Sequence, residues 1–171
     1  MSSFIKSTES TDYVKIEMAS GSSLVIKLDE KSAPITVANF KKLVKQGFYN
    51  GLIFHRVIAG FMVQGGDPTG TGMSGSKETI KGEFRMNGVP NPISHKRGVI
   101  SMARTNVPDS ASSQFFICHA DATFLDGQYA AFGEVVEGIE TVDEIAAAPT
   151  DMRDKPIRPQ VMKEVYFVKE A

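Results

Sequence analysis

The chemical interest of the 171 residues concentrates in Ile53-Phe54-His55-Arg56-Val57-Ile58, which continues after Ala59-Gly60 as Phe61-Met62-Val63-Gln64-Gly65-Gly66-Asp67. Read with strand period, Phe54, Arg56 and Ile58 share one face and Ile53, His55 and Val57 the other, so an arginine stands among large apolar groups. A guanidinium there is costly unless its donors find acceptors, and arginine cannot escape by losing its proton. If the chain doubles back at Ala59-Gly60, the amide oxygen of Gln64 is the nearest acceptor in sequence. Such a pair supplies a fixed, permanently charged hydrogen-bond donor. The same residues also permit a plainer reading, a hairpin with one arginine snorkelling at its rim.

Other motifs carry less. Gly70-Thr71-Gly72-Met73-Ser74-Gly75 fits G-x-G-x-x-G, but that fingerprint needs a strand before it and a helix after it. Here more turn residues follow, and Ser76-Lys77 stands in the wrong order for a P-loop, so a loop beside a groove is the better account. Cys118 and His119 are adjacent on a predicted strand and point to opposite faces, while His55 and His95 have no partner at ligand spacing; no metal site is expected. No Gly-x-Ser-x-Gly elbow occurs, and no histidine stands with a serine and an acid in a hydrolase pattern.

The elements that must position these residues are mostly strands. Tyr13–Met18 and Ser23–Leu28 alternate and form a hairpin, and Ser2 to Thr11 reads as a loose tail, so that 1–12 is a flexible terminus and 13–171 one domain. Pro34 opens a helix with Val37, Phe40 and Val44 on its buried face and Lys41, Lys42 and Lys45 on a solvated one, ended by Gly47. Further strands are predicted at Gly98 to Ala103, Gln114 to Cys118, Ala130 to Val136 and Val161 to Val168, and a second helix at Glu140 to Ala148, before Pro149. Seven or eight strands, two brief helices and no βαβ rhythm point to a mainly β, antiparallel, closed or nearly closed sheet. A net charge of -1 without a basic block argues against nucleic acid or an anionic membrane as partner. The lone Cys118, the polar start of the chain and the lack of a long apolar run lead to the expectation of a cytoplasmic protein.

Five blocks in order resemble the cyclophilin family of peptidyl-prolyl isomerases: Phe54-His55-Arg56-Val57-Ile58; Phe61 to Asp67; Ser101-Met102-Ala103; Ser113-Gln114-Phe115-Phe116-Ile117; then Phe124-Leu125-Asp126-Gly127 with Ala131-Phe132-Gly133-Glu134-Val135. Ala103-Arg104-Thr105 and Asp109 to Ser113 are closer to the bacterial branch. The resemblance implies an eight-stranded antiparallel closed β-barrel capped by two α-helices, with its ligand groove on the outer wall. It implies catalysis of rotation about X-Pro bonds, with Arg56 donating to the prolyl nitrogen once the twisted amide frees its lone pair, and Gln64 orienting Arg56. It places the proline ring against Phe61, Met62, Phe116 and Leu125, and sets Ala103, Arg104 and Gln114 beside the residues before proline. Strict alternation puts Phe61 opposite Met62 and Gln64, so a bend near Gly60 is expected.

Phe124 stands where many members have tryptophan, Tyr129 where many have histidine, and Arg104 replaces a common asparagine. With no indole N–H at Phe124, the resemblance implies weakened affinity for cyclosporin-like macrocycles. It implies no cofactor, a monomer, and proline-containing peptides and unfolded proteins as partners. A non-catalytic proline-peptide module or chaperone is the alternative.

Overall fold

The computed structural model describes residues 2–171 and contains nine strands and two α-helices: β1 (Phe4–Lys6), β2 (Tyr13–Met18), β3 (Ser23–Leu28), α1 (Pro34–Lys45), β4 (Phe54–Ile58), β5 (Met62–Gly65), β6 (Val99–Met102), β7 (Phe115–Cys118), β8 (Ala131–Glu137), α2 (Ile139–Ala146) and β9 (Met162–Glu170). All pairings are antiparallel, in the order β1-β9-β2-β3-β8-β6-β7-β5-β4.

Two features differ from the expected barrel. The strands number nine, because Phe4–Lys6 pairs with the far end of the chain, Phe4 opposite Glu170, where the sequence suggests a loose tail. The ladder is also not closed: β1 and β4 are its two ends. An isolated bridge, Ile53 to Val161, and backbone bonds from Phe54 N to Gln160 O (3.0 Å) and Met162 N to Leu52 O (2.8 Å) tie the β4 end to the start of β9. Edge backbone at that seam is thereby covered without a continuous ladder.

Side-chain alternation divides the apolar residues between two clusters. Along β7, Phe115 and Ile117 enter the main core, while Phe116 and Cys118 lie in a second cluster with Met62 and Ala122. A strand buried on both faces reads as a continuous apolar run, which explains Phe-Phe-Ile-Cys. The main core packs Phe40 of α1 against Tyr49, Phe115 and Phe132 at ring-centroid distances of 5.1 to 5.8 Å. Truncating any of these rings to alanine costs about 3–5 kcal/mol. Helix α1 buries Val37, Phe40, Leu43 and Val44, and α2 buries Val142 and Ile145. The α1 lysines face solvent, Lys41 bonding Asp12 and Lys42 bonding Glu78. Among the described residues no helix is long and apolar enough to cross a membrane.

Candidate active site

Arg56 reaches the outer wall through a break in strand register. Phe54 pairs with Gly65 and Arg56 with Gln64, so His55 is an extra residue, a β-bulge. Beyond it Val57 faces Val63 in the core, while Arg56 and Ile58 share the outer side with Gln64 and Met62. This corrects the strict period in which Phe54 and Arg56 share a face: Phe54 is fully buried and Arg56 is exposed. The kink requires a glycine opposite it, since a Cβ at Gly65 would stand 2.7 Å from the Ile53 carbonyl oxygen.

The hairpin turn delivers Phe61 to the same side. Gly60 takes φ +81° and the Phe61 N–H donates to Ile58 O (3.0 Å). His119, which the sequence reading left without a role, fastens this turn: its Nδ1 accepts from Gly60 N–H (2.9 Å), so its Nε2 bears the proton and donates to Asp143 (3.0 Å). Asp143 is held in turn by two 2.8 Å bonds from Arg97.

Arg56, Phe61, Met62, Gln64, Ala103, Arg104, Phe116, Leu125 and Tyr129 border one cavity of about 160 Å³. That is well below the 300–1,000 Å³ common for small-molecule sites and suits a single side chain. Phe61, Met62, Phe116 and Leu125 supply apolar surface and Arg56, Gln64 and Arg104 polar surface, with Phe116 edge-on to Tyr129 at 5.9 Å. Phe124 does not border the cavity; it is two-thirds exposed and packs its ring on Phe61 at 5.6 Å. A larger cavity of about 560 Å³ lies elsewhere, between Asp12, Asp29, Glu30 and Glu134, and shares no residue with this one. The Asp29 carboxylate is taken up by Ser32 and that of Asp12 by Lys41.

Gln114 sits one step outside this cavity, in a polar relay. Arg56 Nη1 donates to Gln64 Oε1 (3.3 Å), Gln64 Nε2 to Gln114 Oε1 (2.9 Å), and Gln114 Nε2 to the carbonyls of Gly72 (3.0 Å) and Ser74 (2.7 Å). The glycine loop thus anchors the amides that hold the guanidinium, and Asp67 anchors the loop by accepting from Thr69 and Ser74. Burial alone would raise the Asp67 pKa, but these bonds outweigh it and lower it to about 2. The Arg104 guanidinium lies over the Phe84 and Tyr129 rings and donates to the carbonyls of Gln128 and Thr105, so it forms a wall of the groove.

Beneath Phe116 the fold builds an array that sequence spacing did not show. His95, fully buried, stacks on Phe116 at 6.0 Å. Its Nδ1 bonds Asp126 (2.9 Å) and its Nε2 bonds Ser101 Oγ (2.9 Å). Burial lowers the His95 pKa against the opposing pull of Asp126, so the ring is neutral, donates to the carboxylate and accepts from the serine. The order is that of a hydrolytic triad, but Ser101 is wholly buried and cannot meet a substrate. The array supports the cavity floor.

The chain matches the family described as "Cyclophilin type peptidyl-prolyl cis-trans isomerase/CLD" over residues 13–167. It is 43% identical over 160 residues to peptidyl-prolyl cis-trans isomerase A of Dickeya dadantii, covering 88% of this chain and 82% of that one. It is 47% identical over 137 residues to a peptidyl-prolyl cis-trans isomerase of Helicobacter pylori, covering 79% and 80%. A crystal structure of a cyclophilin type isomerase from Cryptosporidium parvum, in the presence of the dipeptide Ala-Pro, superposes with TM-score 0.83 at 34% identity, covering 91% of this chain and 98% of that one.

Proposed function

The chain belongs to the cyclophilin-type peptidyl-prolyl cis-trans isomerases and is an enzyme of that class, and we propose that it performs the reaction with Arg56 as the donor to the prolyl nitrogen. Rotation about an X-Pro bond faces a barrier of about 18–20 kcal/mol. A turnover near 10³ per second needs about 13 kcal/mol, so about 6 kcal/mol must be supplied. Twisting ends amide resonance and turns the nitrogen lone pair into an acceptor, so a fixed donor aimed at it binds the twisted state and not the planar one. One such contact in a water-poor site contributes about 3–4 kcal/mol. Desolvation supplies the remainder, because the charge-separated planar amide loses more than the twisted one on leaving water.

The observation that carries this reading is the convergence of Arg56 and Gln64 on the same small cavity as the apolar side chains Phe61, Met62, Phe116 and Leu125. The relay from Gln64 through Gln114 to the glycine loop fixes the guanidinium before substrate arrives, which limits reorganisation during the reaction. The substrate class is proline-containing peptide, in line with the Ala-Pro present with the Cryptosporidium relative. Phe61, Met62, Phe116 and Leu125 take the ring, Tyr129 and Arg104 close one side, and Ala103 and Gln114 line the approach of the preceding residues. Exchange NMR on an Ala-Pro peptide tests this. Enhanced cis/trans cross-peaks are expected at catalytic enzyme concentration, whereas shifts on binding without enhanced exchange would make the groove a binding module.

A further inference from the structure

A second cavity, of about 300 Å³, adjoins the first and shares Arg56 and Gln64 with it. His55, Gly70, Thr71, Gly72, Arg153 and Lys155 complete its border. It thus carries three cationic side chains, and among the described residues none of them forms an ion pair. Arg56 donates to a neutral amide, while Arg153 and Lys155 are exposed and use their backbone N–H groups to bond Asp151. The loop that presents them is pinned to β4 by a 2.7 Å bond from Val57 N–H to Asp154 O. Two nearby carboxylates are held by neutral donors and keep their charge, Asp151 by those backbone groups and Asp67 by Thr69 and Ser74, and Asp154 stands between Arg153 and Lys155 in the chain. His55 is 94% buried at this border, and its Nδ1 has no hydrogen-bond partner. Buried polar atoms are rarely left so; the Asp67 carboxylate on one side and the Lys155 and Arg56 cations on the other all act on this ring.

We propose that this cavity is an anion subsite, which takes a carboxylate or phosphate monoester side chain of the substrate peptide one or two residues after the proline. The proposal rests on the isomerase reading for the position of the peptide. A third cavity meets this one at Gln64 and Gly72 and extends away from it to Ala103, Arg104 and Gln114, where the residues before proline are placed, which leaves the Arg153 side for those that follow. Arginine has five donors in a planar fork, enough for Gln64, the prolyl nitrogen and an anion together. Because the cations are exposed, the gain is modest and sensitive to salt. A phosphate, with nearly twice the charge of a carboxylate, gains more.

The test is an NMR titration at low ionic strength with proline peptides bearing Glu, Gln, phosphoserine or Ser at the first or second position after the proline. The Glu peptide is expected to bind about 3–10-fold more tightly than its Gln isostere at one of the two positions. Comparing Glu with phosphoserine identifies which anion the subsite favours. The preference should shrink below about two-fold in 0.5 M salt and in the Arg153→Ser/Lys155→Ser double variant, and Arg153→Glu alone should reverse it. Equal affinities for Glu and Gln at both positions, together with no gain for phosphoserine over Ser, would overturn the proposal, as would a preference that survives the double variant. Exchange measured on the same Gln peptide judges the isomerase mechanism separately, since the affinity ratio is read whether or not rotation is accelerated.

Discussion

Removing the Asp126 carboxylate probes how the buried array supports the proline cavity. Asp126 accepts from Ser94 Oγ (2.6 Å), His95 N (2.6 Å) and His95 Nδ1 (2.9 Å). Asp126→Ala strands both His95 donors next to a ring that is wholly buried. Unsatisfied buried donors cost about 1–3 kcal/mol each, so a loss of about 3 kcal/mol is expected after partial relaxation. For a chain of this length that lowers Tm by about 6–12 °C. Asp126→Asn retains an acceptor and should lose about half as much. Because His95 stacks on Phe116, the alanine variant should also bind Ala-Pro peptides several-fold more weakly. Thermal melts followed by circular dichroism at pH 7.5, paired with peptide titrations, measure both effects. A Tm within about 1 °C of wild type, or identical losses for Ala and Asn, would refute the reasoning that the carboxylate holds the histidine.

Gln64→Leu removes the acceptor that orients Arg56 while keeping much of the volume; one charge-assisted bond is worth about 1.5 kcal/mol, so kcat/KM should fall about ten-fold with little change in Tm. An unchanged kcat/KM would remove Gln64 from the mechanism. Burial lowers the His55 and His95 pKa values below 6.5, and the Asp67 value is lowered from 3.8 to about 2 by its hydrogen bonds, which outweigh the effect of burial. All three groups bind protons more readily when unfolded, so stability is complete above pH 6.5, declines as pH falls through the folded histidine values, and declines again between about 3.8 and 2. Urea midpoints at pH 7.5, 5 and 3 should decrease in that order, and a rise between 7.5 and 5 would contradict the assignment. Phe124→Trp restores an indole N–H on an exposed ring beside Phe61 and should tighten cyclosporin binding about ten-fold by calorimetry; no change would place that donor out of reach.

Elements with unambiguous period were legible: β2 and β3 have the expected limits, and α1 starts at Pro34 with its lysines outward. Nine of the eleven residues expected around the groove border one cavity, with Phe124 and Gln114 outside it, and the bend at Gly60 followed from the mismatch between Phe61 and Met62. The bulge at His55 was not, because Phe54, Val57 and Ile58 are all apolar and a one-residue slip leaves no mark in such a run. Strand β1 escaped because three residues among serines and threonines are too few to show alternation, and their partner lies at the other end of the chain. For the same reason Ser101, His95 and Asp126 looked unrelated: they come from β6 and two loops, and only the packed sheet brings their polar atoms within 2.9 Å. The relay through Gln114 likewise depends on where the glycine loop folds back.

The most direct test of the mechanism is kcat/KM for an Ala-Pro peptide with wild type and Arg56→Ala, determined across pH 6 to 9. Loss of a donor worth about 3–4 kcal/mol predicts a fall of about 10²–10³-fold, with a flat wild-type profile because arginine does not titrate in that range. A fall of less than about ten-fold, or a wild-type profile governed by a group titrating near pH 7, would show that something other than the Arg56 guanidinium stabilises the twisted amide.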